Sequence, residues 1–254
     1  MTALVGLYQR EMGRIFSGSG VTLALPAALA WIGWQRLYGG VNLGGADPVD
    51  DAFKACALLL APLAVWVCAP SLAGERASGT ASLWAISPVR PLAVLGGKFL
   101  AVMSFLAVAA VMLLAPTAWE MAALGSALWV RLGAGVLGLL LLCGLAAAVT
   151  LLASALVKHF STAFAIGAGA LSLWMWGTDL LRRVAEAVSS LLPTAWGSHL
   201  TGAFDPVLGW NGRALLYPLF VGWVDLGAIA AMAGLTILAL VLTHQLVASE
   251  RWRG

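Results

Sequence analysis

Charge is what this chain has least of. Of its 254 residues only 10% are charged, from 14 lysines and arginines and 11 aspartates and glutamates, while 61% are apolar. A soluble domain carries roughly 25% charged and 45–50% apolar residues, so a water-soluble globule is excluded. Cysteine is scarcer still. Cys56, Cys68 and Cys143 all fall inside apolar runs and form no CxxC pair, which leaves them as small core residues and suggests neither a disulfide framework nor a thiolate metal site. His159, His199 and His244 are scattered, with no HExxH or other metal-ligand spacing. No GxSxG elbow is present, and Glu120, Asp179 and Asp225 lie toward the outer ends of their apolar runs rather than paired at matching depth. The chain therefore reads as non-catalytic. A GxxxxGK[ST] phosphate loop is also missing, since the glycines before Lys98 lead into Phe99. The net charge of +3 forms no basic stripe that could follow a phosphate backbone, so nucleic acid is not an expected partner.

What the chain does have is six long uncharged runs: 15–35, 55–74, 99–119, 132–157, 160–178 and 226–249. About 20 apolar residues in a helix cross a hydrocarbon core of roughly 30 Å. In that medium the backbone must bond to itself, which runs of this length do as helices. The expectation is a single all-α membrane domain over residues 1–254 with six transmembrane helices. Two shorter elements accompany them: an amphipathic interfacial helix at the N-terminus, and a short outer re-entrant or interfacial helix before the last span. Arg10, Glu11 and Arg14 precede a full-length first run, which reads as an uncleaved anchor rather than a signal peptide.

Six spans place both termini on one side. With that side cytoplasmic, the lysines and arginines divide eight inside to six outside, a slight positive-inside bias. Trp34, Trp119, Trp129, Trp174 and Trp176 cluster near the opposite face, although aromatic belts occur at both. In residues 1–14, Leu4, Leu7, Tyr8 and Met12 recur at helical spacing, continued by Ile15, with Gln9, Arg10 and Arg14 elsewhere on the wheel.

Three connections carry information. Residues 75–98 form the longest polar stretch on the inner side. There Gly79 marks a turn, a short helix is expected from Thr80 to Ile86 with Thr80 as cap, and Ser87, Pro88 and Pro91 end it. The outer segment 179–213 begins with Leu181, Val184, Val188 and Leu191 at spacings of three and four, a short interfacial helix, and continues as a Gly-, Pro- and Trp-rich cap. Asp225 divides the apolar region from 214 to 249: either it is a partly buried functional carboxylate, or the last span begins there. Small residues at 133–138 and 167–170 permit close helix approach, within the chain or between subunits.

The segment ERASGTASLWAISPVRPLAVLGGKFLA resembles the loop after the second span of type-2 ABC exporter permeases. That family shows an acidic and basic pair, a GT, a short helix, a proline-containing turn and a GK before span three. Glu75, Arg76, Gly79, Thr80, Pro88, Gly97 and Lys98 match it. The likeness is closest to the branch of the gliding-motility permease and the permease for nitrous-oxide-reductase maturation, with PVRP here where that branch often has PVSR. The resemblance implies a permease in the bacterial cytoplasmic membrane, multi-pass, with both termini and this loop cytoplasmic. It also implies a coupling helix that docks on a separate ATPase, with Glu75, Arg76, Gly79, Thr80, Leu83, Trp84 and Pro88 forming the contact. The implied partners are two ATPase chains holding ATP and magnesium, a second copy or a related permease, membrane lipid and an auxiliary periplasmic protein. Mechanical work on a periplasmic or membrane partner fits the same pattern. A secondary transporter or channel independent of ATP is the rival reading, against which stand the absence of a three-plus-three repeat and the uncharged run centres. Nothing in the residues identifies a substrate path.

Overall fold

The computed structural model describes residues 2–17, 48–80, 90–124, 127–189 and 211–249. Every regular element among them is an α-helix: α1 (Thr2–Ser17), α2 (Pro48–Ala77), α3 (Pro91–Leu124), α4 (Ala127–Leu156), α5 (Phe160–Ser189), α6 (Gly212–Val221) and α7 (Leu226–Ala248). Within these, Val49–Ala77, Pro91–Trp119, Trp129–Leu156 and Leu226–Ala248 are long and apolar enough to cross a membrane, and this is the helix set of a membrane-embedded protein. The four segments cover the uncharged runs at 55–74, 99–119, 132–157 and 226–249. The run at 160–178 is helical within α5, which is not among the four. Residues 18–35 of the first run lie outside the described residues, as do 81–89, 190–210 and the basic tail.

Helix ends follow local chemistry. Pro48 and Pro91 each open a helix, where a missing N–H costs nothing. Asp50 and Asp51 sit in the first turn of α2, where the helix dipole favours negative charge. Asp225 resolves its two alternatives in favour of a helix start. It is exposed, and its Oδ1 accepts from the backbone N–H groups of Gly227 at 2.8 Å and Ala228 at 3.3 Å, as the cap of α7. The break before it is made by Gly222, whose φ of +98° suits glycine and ends α6. The expected short helix beginning near 179 is instead the continuation of α5, since no glycine or proline interrupts DLLRRVAEAV. The separate short helix before the last span is α6.

Helix α4 is the axis of the bundle and packs on α2, α3, α5, α6 and α7. Its contact with α2 is parallel and in register: Phe53 meets Gly135, and Leu72 meets Ser154, both pairs 82 positions apart in the chain. At the first contact a side chain on Gly135 would fall inside the Phe53 ring, and that ring stacks on Phe220 of α6 at 5.5 Å and 12°. Gly138 abuts Leu219 and Phe220, and Gly167 of α5 abuts Thr150. These three glycines serve packing within the chain; Gly133 and Gly169 face open space.

The second contact is polar. Ser154 Oγ accepts from the backbone N–H groups of Ala73 at 2.7 Å and Leu72 at 3.0 Å, and donates to the Ala69 carbonyl at 2.8 Å. The Ala73 amide and Ala69 carbonyl are i, i−4 positions of the α2 ladder, so the hydroxyl braces that helix beside Pro70, which lacks an amide donor of its own. The three cysteines are buried, and no disulfide joins them. Helix α7 buries one stripe, including Ala228, Met232 and Ala239, and leaves Ile237, Leu238, Val241 and Leu242 outward, as a membrane helix does toward lipid.

Candidate functional site

The connection between α2 and α3 is rooted in a buried cluster of charge. Lys98, about two turns into α3, is 2% exposed. Its ammonium donates to Glu11 Oε1 of α1 at 2.7 Å, to Glu75 Oε1 of α2 at 2.9 Å and to the Ser71 carbonyl of α2 at 3.0 Å. All three ammonium donors are thereby used. Glu11 in turn receives Arg14 Nε on its second oxygen at 2.8 Å. Two carboxylates and two cations thus balance, with Lys98 and Glu11 buried and Glu75 and Arg14 at their margin, the condition under which buried charge is tolerated. The second oxygen of Glu75 is buried without a hydrogen-bond partner among the described residues.

Next to this group Arg76 Nη1 donates to the Ala155 carbonyl in the last turn of α4, at 2.8 Å. A cation at a helix C-terminus satisfies an end carbonyl and complements the dipole there. Together with Ser154, these bonds bring α1, the end of α2, the start of α3 and the end of α4 to one end of the bundle. The chain leaves α2 through a turn at Ser78–Thr80. There Ser78 N–H donates to Gly74, Gly79 takes φ +73°, and Thr80 Oγ1 donates back to the Glu75 carbonyl at 3.2 Å.

Of the seven residues expected at this site, Glu75, Arg76, Gly79 and Thr80 therefore lie at the exit of α2. Leu83, Trp84 and Pro88, and the short helix expected over Thr80–Ile86, fall outside the described residues beyond Thr80. Glu75 and Lys98, which bracket the segment in the sequence, pair directly with each other.

Glu11 is the member that the sequence reading passed over. It is 5% exposed, and it lies among Leu7, Tyr8, Met12 and Ile15 on the face of α1 that packs against α3. Burial alone pushes its carboxyl up; the charges of Lys98 and Arg14 and their hydrogen bonds outweigh this and hold it below its ordinary 4.5. A carboxyl held low contributes stability above its unfolded value and loses it as pH falls through the folded one. The seating of α1 should therefore be complete at neutral pH and weaken as pH drops below about 4.5. In Glu11→Gln the amide loses about 1.5–3 kcal/mol of charge-assisted bonding at neutral pH. Hydrogen exchange of residues 2–17 should speed up by an order of magnitude or more, and its acid dependence should flatten. Wild-type protection in Glu11→Gln would show that the apolar stripe alone seats α1.

Among the described residues no three of histidine, cysteine, aspartate and glutamate converge into a group that could hold a metal ion. No protein-family model matches the chain, and no curated protein matches it.

Proposed function

We propose that this chain is the transmembrane permease subunit of an ATP-driven exporter of the type-2 ABC class. It would sit in the bacterial cytoplasmic membrane with six spans and both termini inside. The observation that supports this most is the pairing of Glu75 with Lys98 at 2.9 Å, because it clasps the two roots of the segment that resembles a coupling loop. A push on residues 78–90 from an ATPase would act on both roots at once. Through Glu11 it reaches α1, and through Arg76 and Ser154 it reaches α4, the axis of the bundle.

In this reading ATP and magnesium are held by two separate ATPase chains, and hydrolysis takes place there. Binding of ATP closes the ATPase pair, and the clasp passes that movement to the spans of this chain and of a second permease copy or related subunit. The energy available is the differential affinity of ATP for the two conformations.

Affinity purification from native membranes in mild detergent, followed by mass spectrometry, tests the assignment. A stoichiometric partner bearing GxxxxGK[ST] is the expected result. In that complex Trp84→Ala should lower ATPase activity about tenfold, the scale of about 1.4 kcal/mol of coupling, while insertion is unchanged. A chain recovered alone would overturn the reading in favour of an ATP-independent transporter, and undiminished ATPase in Trp84→Ala would overturn the docking role.

A further inference from the structure

At the opposite end of the bundle α2, α5 and α6 enclose a groove of about 690 Å³. We propose that it holds an acyl chain of an anionic phospholipid from the surrounding bilayer, with the headgroup at Lys54 and Arg213. The proposal rests on the helices being membrane-embedded and not on the exporter reading.

The walls are apolar. Ala57, Ala61 and Val65 recur every four residues along α2, and they face Ala168 and Leu171 of α5 and Leu216 of α6. A volume of this size is in the range of roughly 300–1,000 Å³ that takes a small molecule. Water would find few of the two to four polar partners it needs along such walls. The apolar substance at hand beside a span is lipid. From Lys54 to Val65 the groove follows α2 for about 16 Å, at about 1.5 Å per residue. That is about half of a hydrocarbon core of roughly 30 Å, the depth of one leaflet. Leu58 and Trp176 on its margin are exposed, so the groove opens sideways, toward the lipid.

The mouth is polar, and the charges that face the groove itself are positive, although two aspartates behind Lys54 offset its charge. Lys54 and Arg213 are the two charged residues on the lining, and both are positive. Asp50 Oδ2 holds the Lys54 ammonium at 2.7 Å, and Asp51 lies 4.0 Å away. Neither aspartate lines the groove, and an ammonium has three donors, so Lys54 can meet a phosphate while held by Asp50. Asn211, the cap of α6, and Tyr217 also line the groove. Tyr217 and Trp176 are the amphipathic aromatics that settle at headgroup level.

The full chain in detergent micelles, offered phosphatidylglycerol and phosphatidylcholine of identical acyl composition and weighed by native mass spectrometry, tests this. One phosphatidylglycerol should be retained per chain, with a roughly fivefold preference over phosphatidylcholine, the scale of one cation acting at a lipid surface, because Asp50 and Asp51 offset Lys54. The rim variant Lys54→Gln/Arg213→Gln should bring the two lipids to within about twofold. Ala61→Trp, which fills the groove, should reduce retention of both. Equal retention of the two lipids by the wild-type chain would overturn the proposal, as would a rim variant that keeps its preference. A lipid-free dimer that dissociates in Ala61→Trp would assign the groove to a second copy and overturn it equally.

Discussion

Replacing Lys98 by methionine should be the most damaging single change at the α1 end of the bundle. The substitution removes one ammonium and leaves two carboxylates, Glu11 and Glu75, whose side chains alone are 7% and 12% exposed, without the cation they share. Breaking a buried ion pair from one side costs about 3–5 kcal/mol, because the remaining charge is desolvated and unpaired. Here two charges are stranded, and Arg14 can answer only Glu11. The Ser71 carbonyl loses its side-chain donor as well. Denaturation of the purified chain in micelles should show the loss directly. The combined variant Glu11→Gln/Glu75→Gln/Lys98→Met should recover most of it, since neutral groups in the same place carry no ionic desolvation penalty. If Lys98→Met unfolds with the wild-type protein, the cluster is wetter than its burial indicates and cannot act as a rigid clasp. If the triple variant is as unstable as the single one, packing rather than charge holds the three helices.

The two charges that bracket residues 76–97 are also the most instructive case of what a sequence conveys. Four helices long enough to cross a membrane were legible from uncharged runs alone, because in hydrocarbon neither a charge nor an unbonded backbone is tolerated. That Glu75 and Lys98 meet was not legible, since residues 23 positions apart pair only after α2 and α3 have folded back on each other. Glu11 did leave a signal. It is the one acid in Thr2–Ser17, and it falls within the stripe of Leu7, Tyr8, Met12 and Ile15. An acid on an apolar helical face needs a buried cation, but Lys54, Lys98 and Lys158 each abut an apolar run, so the sequence does not choose among them.

Other readings failed or succeeded for equally local reasons. The amphipathic spacing at 181–191 suggested a separate helix, but amphipathic spacing says which face is apolar and not where a helix starts. With no breaker after Thr178, α5 continues to Ser189. Asp225 looked ambiguous because a charge inside an apolar stretch is either a buried group or a boundary. The glycine three residues before it, at φ +98°, makes it a boundary. The stripe at 133–138 showed that helices approach closely but not which ones. Its partners are α6 at Gly138 and α2 at Gly135, both of the same chain, and the groove of α2, α5 and α6 could not have been foreseen without the α2 contact.

That contact yields the second large expected effect, in Gly135→Leu. The site has no room on either side: Phe53 is fully buried, lies where the new side chain would begin, and is backed by Phe220. Excess volume in a packed core usually costs about 1–3 kcal/mol through side-chain and backbone shifts. The cost here should be at the upper end, because the simplest relief, a slide of α2 along α4, is blocked. The two helices are parallel and pinned 19 residues further along by Ser154, whose hydroxyl holds the Ala69 carbonyl and two amides of α2. Relief must come from expelling the Phe53 ring, and that loses its stack on α6. Phe53→Ala alone should cost about 3–5 kcal/mol, since it opens a cavity against Gly135. The two changes are complementary in volume, so Gly135→Leu/Phe53→Ala should be more stable than the sum of the singles by about 1–3 kcal/mol. Denaturant melts of the four proteins in one detergent close that cycle. Strict additivity would mean that Gly135 and Phe53 do not share one space, and the in-register packing of α2 on α4 would have to be given up.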